Sequence, residues 1–96
     1  MAMHNPPHPG EFIRSVYLKP FELSVKALAA SLAAFPSTLN RINTEKSGIH
    51  PELARRLSKA LGRSPESWLA MQSTYDLWQA RRHIKLEHVR QVETAA

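Results

Sequence analysis

The chain has 96 residues, 43% of them hydrophobic, which suits one globular domain with a core and is too short for two. Its 13 Lys and Arg against 8 Asp and Glu give a formal charge of +5, with nine basic and four acidic side chains in residues 1 to 64 and four of each in residues 65 to 96. With no cysteine there is no disulfide framework or thiolate metal site, and no apolar run approaches the 18 or so residues of a membrane span, so a cytoplasmic protein is expected.

Residues 1 to 8, MAMHNPPH, lack apolar periodicity, and Pro6 and Pro7 favour extended backbone; a mobile N-terminal arm is expected there. Pro9 suits a first helical position and Glu11 the positive end of the helix dipole, while Phe12, Ile13, Val16 and Tyr17 recur at helical spacing. This first helix is predicted to run to Leu18, with Lys19-Pro20 ending it because the residue before a proline is pushed out of the helical region. Ser24 is placed to cap a second helix, with Leu23 and Leu28 spaced for a hydrophobic staple.

Residues 25 to 42, VKALAASLAAFPSTLNRI, carry two short amphipathic segments in succession. Leu28, Ala29 and Leu32 share one face of the first; Leu39 and Ile42 share one face of the second, which opens with Pro36. The pair predicts a helix-turn-helix. Opposite the second stripe stand Ser37, Asn40, Arg41 and Thr44, side chains able to hydrogen-bond base edges and phosphates from a helix laid in a major groove. Any short solvated helix also has a polar outer face, so the pattern alone leaves both readings open. The positive balance of this part of the chain favours a phosphate-bearing partner without requiring one.

Pro51 and Pro65 open a fourth and a fifth helix in the same manner as Pro36. The fourth is expected to bury Leu53, Leu57 and Leu61, to turn Arg55, Arg56 and Lys59 outward, and to stop at Gly62. On the fifth, Trp68, Met71, Tyr75 and Trp78 form one stripe. That stripe is either core or an interface, or Trp68 is inside and Trp78 at a contact. Residues 84 to 96 carry no assignable pattern, so the expected organisation is an arm over 1–8, a helical domain over 9–83 and a tail over 84–96. The five histidines lack an HExxH spacing and the single aspartate, Asp76, lies within a helix. No metal, cofactor or catalytic role is expected.

The ordered set His8-Pro9-Gly10-Glu11, Leu28-Ala29, Ser37-Thr38-Leu39 with Arg41, Gly48-Ile49, Pro51-Glu52, Arg56-Leu57, Ser64-Pro65-Glu66-Ser67-Trp68-Leu69, Gln72 and Tyr75-Asp76-Leu77-Trp78 resembles HigA-type (VapI-like) antitoxins of the Xre/Cro-like helix-turn-helix group. The likeness spans residues 8 to 80 or so. It implies an all-α, five-helix lambda-repressor-like domain with an extended C-terminal helix or tail, not an enzyme. It further implies a homodimer with two partners: double-stranded operator DNA and a RelE-like ribonuclease toxin. The alternative is a solitary Xre-type regulator without a toxin. In such repressors the positions of Ser37, Thr38, Asn40 and Arg41 face the groove, and Thr44 follows one turn after Asn40. Ser24, Lys26 and Lys46 are the corresponding candidates for phosphate contacts, which set register without carrying sequence information, and Tyr75 and Trp78 are candidates for a dimer or toxin interface. Two positions depart from the pattern. Ala33 stands where the turn usually has glycine, and Phe35 stands where a Ser or Thr cap is common, so Phe35 is expected to pack rather than cap.

Overall fold

The structure, a computed structural model, describes residues 5–93. Among them there are five helices and no strand. The first, α1, is α-helical over Pro9–Ile13 and widens into a π-helical turn over Arg14–Leu18; α2 is Val25–Leu32, α3 Pro36–Asn43, α4 Pro51–Leu61 and α5 Pro65–His83. The expected proline starts are all present, at the first turn of α1, α3, α4 and α5. Ser24 caps α2 as its position predicts, its Oγ accepting the Ala27 N–H at 3.0 Å.

Helix α1 ends at Leu18, but for a different reason from the one expected. Lys19 keeps helical angles (φ −65°, ψ −51°) and its N–H donates to the Arg14 carbonyl at 3.0 Å. Pro20 then ends the ladder because it has no N–H to donate. The arm expected over residues 1–8 is also different in its described part. Pro6 and His8 are buried, and His8 caps α1, its Nδ1 accepting the Gly10 N–H at 2.9 Å while its ring meets Tyr75 edge-on at 4.8 Å. Residues 1–4 of that expected arm lie outside the described residues.

The core follows from the apolar stripes. Ile13 of α1, Leu28, Ala29 and Leu32 of α2, Leu39 and Ile42 of α3, Leu53, Ala54 and Leu57 of α4 and Trp68 of α5 form one buried cluster, with Leu61 at its edge. Trp68 is fully buried, its ring edge-on to Phe12 at 5.8 Å and its Nε1–H donating to the Gly62 carbonyl at 3.0 Å. The core reading of the aromatic stripe therefore holds for Trp68, while Met71, Tyr75 and Trp78 are half-buried. Helix α5 stops at His83, and residues 84–93 continue as exposed, non-helical chain.

Two close approaches fix α3 within this bundle. A Cβ on Gly10 would lie 1.9 Å from the Ile42 carbonyl oxygen, so α1 rests backbone to backbone against the C-terminal end of α3. The loop that follows is strapped to α5 by Gln72, whose Oε1 accepts the Ile49 N–H at 2.9 Å and whose Nε2 donates to Asp76 Oδ1 at 3.0 Å. Asn43, at the end of α3, is buried with neither side-chain amide atom bonded to protein, and nothing in the structure explains that choice.

Candidate nucleic-acid interface

Helix α3 presents its face as the apolar spacing requires. Leu39 and Ile42 point into the core, each 1% exposed, whereas Ser37, Asn40, Arg41 and Thr44 are exposed and Thr38 is half-buried. These five side chains thus sit along one short helix whose back is clamped to the bundle. Thr44 is partly committed: its Oγ1 donates to the Asn40 carbonyl at 2.8 Å and lies 3.3 Å from that of Arg41. What it can still offer a ligand is a methyl group and an oxygen lone pair. The N–H groups of Lys46 and Ser47 both donate to the Arg41 carbonyl, at 2.8 and 3.2 Å, which closes the C-terminal end of α3.

The cationic candidates lie at the ends of these elements. Lys26 is exposed in the first turn of α2, beside exposed Ser24, and Lys46 is exposed just past α3. Ser24 uses one oxygen lone pair on the cap, and its hydroxyl hydrogen remains able to donate outward. Glu45 adjoins Lys46, and Arg14 pairs with it at 3.4 Å across a half-exposed contact, which offsets the one acidic charge next to the end of α3.

The turn between α2 and α3 shows how Ala33 substitutes for glycine. It adopts the left-handed conformation (φ 53°, ψ 42°) and its N–H donates to the carbonyls of Ala29 and Ala30. A residue with a Cβ costs on the order of 1 kcal/mol there. Arg56 offsets the cost: its guanidinium donates to the carbonyls of both Leu32 and Ala33 and pairs with Glu52 at 2.8 Å. This corrects the outward placement expected for Arg56; Arg55 and Lys59 are exposed as expected. The sequence contains the local Glu52–Arg56 spacing of four, but the tie to α2 spans 24 residues and has no local signature.

Phe35 also differs from its expected packing. It occupies the N-cap position of α3 (φ −74°, ψ 138°) without a side-chain cap bond, and it is 77% exposed. It neither caps nor packs. The interface candidates on α5 are held within the chain: the Tyr75 hydroxyl accepts from Gln79 Nε2 at 2.9 Å, and the Arg82 guanidinium lies 4.6 Å over the Trp78 ring.

No protein-family model matches the chain, but individual proteins do. Virulence-associated protein I of Dichelobacter nodosus is 49% identical over 70 residues, which are 73% of this chain and 65% of that protein, so this chain spans just under two thirds of its relative. The uncharacterised HTH-type transcriptional regulator YddM of Escherichia coli K12 is 33% identical over 98% of this chain and 99% of its own length. Among solved structures, antitoxin GraA superposes with a TM-score of 0.87 at 34% identity, over 94% of this chain and all of that one. Antitoxin HigA of Pseudomonas aeruginosa does so with 0.80 at 35%, over 90% and 96%.

The chain belongs to the helix-turn-helix family of HigA-type antitoxins and transcriptional regulators. Within this family the Pseudomonas HigA structure contains the higBA promoter and a second GraA structure contains its operator. The all-α fold and the family expected from the sequence are thus both found. Among the described residues no helix is long and apolar enough to cross a membrane.

Proposed function

We propose that this family member is a homodimeric, sequence-specific repressor of its own toxin-antitoxin operon that also neutralises a RelE-like ribonuclease toxin, and that it is not an enzyme. In this reading α3 lies in the major groove with Ser37, Thr38, Asn40, Arg41 and Thr44 toward base edges, and Ser24, Lys26 and Lys46 hold phosphates. Two-fold symmetry matches a palindromic site, and Tyr75 and Trp78 are the candidates for the dimer or toxin contact. The observation that carries the reading is the face of α3, polar outward and clamped behind by Leu39 and Ile42. Relatives solved on promoter or operator DNA support it.

Salt-dependent titrations on operator and scrambled duplexes test the division of labour. Arg41→Ala is expected to cost about 1–3 kcal/mol on the operator and less on scrambled DNA, since a lost base contact removes discrimination. Lys26→Ala is expected to weaken both about equally and to reduce the salt slope by about one. Equal losses on both duplexes for Arg41→Ala would make it a backbone contact.

A second reading is a solitary regulator, supported by YddM, a regulator of matching length. Co-expression with an adjacent RelE-like reading frame separates the two. Rescue of growth and co-purification favour the antitoxin; absence of such a frame, or no rescue, favours the solitary regulator.

A further inference from the structure

The first turn of α3 contains a residue that its helical neighbours do not predict. The other four helices each begin with a side chain that accepts a backbone N–H: His8, Ser24, His50 and Ser64. Phe35 has the same extended backbone and makes no such bond, and it places a phenyl ring in water at 77% exposure. The backbone that presents the ring is fixed. The Phe35 carbonyl accepts the N–H groups of Thr38 and Leu39 at 3.0 and 3.3 Å, and the preceding Ala34 N–H donates to the Ala29 carbonyl at 3.0 Å. Arg56 fixes the turn before it.

We propose that Phe35 is a specificity residue that contacts a thymine C5-methyl at the edge of each operator half-site. The proposal rests on the placement of α3 in the major groove. Side chains at the N-terminal end of a recognition helix are those that reach base edges, and Phe35 stands immediately before Pro36, the first residue of α3. Phe35 and Thr38 are three residues apart and line one shallow groove with Ala33, Ala34 and His50, so a ring and a threonine side chain flank the same space. Among base edges in the major groove, the apolar feature is the thymine methyl, and a phenyl ring suits it where it can satisfy no donor or acceptor. The groove also contains Glu52 and Arg56, so the ring is bordered by charge rather than continued as the broad apolar patch that a protein partner would use.

The test uses the full chain and a duplex that it selects from a random-sequence library, remade with deoxyuridine at each thymine in turn to delete single methyl groups. One or two substitutions are expected to weaken the wild-type protein about fourfold, the transfer free energy of one methylene-sized group, and to leave Phe35→Ser unaffected. Phe35→Ser also supplies a cap, so the variant stays folded. The proposal is overturned if no deoxyuridine position affects the wild type. It is equally overturned if Phe35→Ser binds the thymine duplex as tightly as wild type, or shows the same deoxyuridine penalties. A shift of Phe35→Ser to a smaller assembly in sedimentation would place the ring in a subunit contact and overturn it as well. If the wild type enriches no sequence at all, the DNA-binding reading of α3 fails first.

Discussion

Helices α2 and α4 end alike on paper and differently in substance. Each terminates in a residue at positive φ, Ala33 or Gly62, and each has its last carbonyl claimed by a side chain from further along the chain. Gly62 adopts φ 92°, ψ −167°, a region open to glycine alone, and the side chain that claims it is a fully buried indole. Ala33 adopts a region that a Cβ tolerates at a cost, and the side chain that claims it, Arg56, is still 39% exposed. The α4–α5 turn is therefore set by the core, and the α2–α3 turn by an ionic tie at the surface. Stability and the placement of α3 depend on different residues.

Substitutions at the two ends test that contrast. Trp68→Ala is expected to have the largest effect, about 3–5 kcal/mol of unfolding free energy, because it empties the centre of the core and frees the Gly62 carbonyl. A denaturant-melt loss below about 1.5 kcal/mol would show that the indole does not set the α4–α5 turn. Gly62→Ala is expected to lose about 1–3 kcal/mol through backbone strain alone, since nothing lies within 4 Å of the added methyl. At the other end the sign reverses. Ala33→Gly is expected to gain up to about 1 kcal/mol with unchanged operator affinity, because Arg56 still holds the turn; a loss in either measurement would end the comparison.

The smallest effect is one that pH brings out at a third helix end. His8 caps α1 through an unprotonated Nδ1. Burial pushes its pKa below the ordinary 6.5 and Arg14 adds to that push, while Glu45 and Asp76 pull the other way. The folded value being the lower, the fold favours the neutral ring. This contribution is complete above pH 6.5 and is lost as the pH falls through the folded value. Denaturation at a series of pH values is expected to show an acid loss that His8→Asn, which keeps a cap acceptor, reduces. An unchanged acid loss would assign it to other groups.

Much of the fold was legible because its signals are local. Proline at the start of each of four helices, the serine cap of α2, and the leucine spacing of α2 and α4 each act within one turn of chain. The outward face of α3 followed from Leu39 and Ile42 by the same geometry. What escaped was tertiary or subtractive. Arg56 reaches back 24 residues to a carbonyl, His8 needed Tyr75 and α1 in place before it could be seen as buried, and the exposure of Phe35 required knowing that no neighbouring element covers it.

The backbone contact of Gly10 with Ile42 has a mechanical consequence. With its C-terminal end wedged against α1, any tilt of α3 would pivot near Asn43. At 1.5 Å per residue, Phe35 is about 12 Å from that pivot and Arg41 about 3 Å. A tilt of about 5° then displaces the first by about 1 Å and the second by about a quarter of that. In the proposed groove-bound pose, such a tilt would carry the contact of Phe35 about four times as far as that of Arg41.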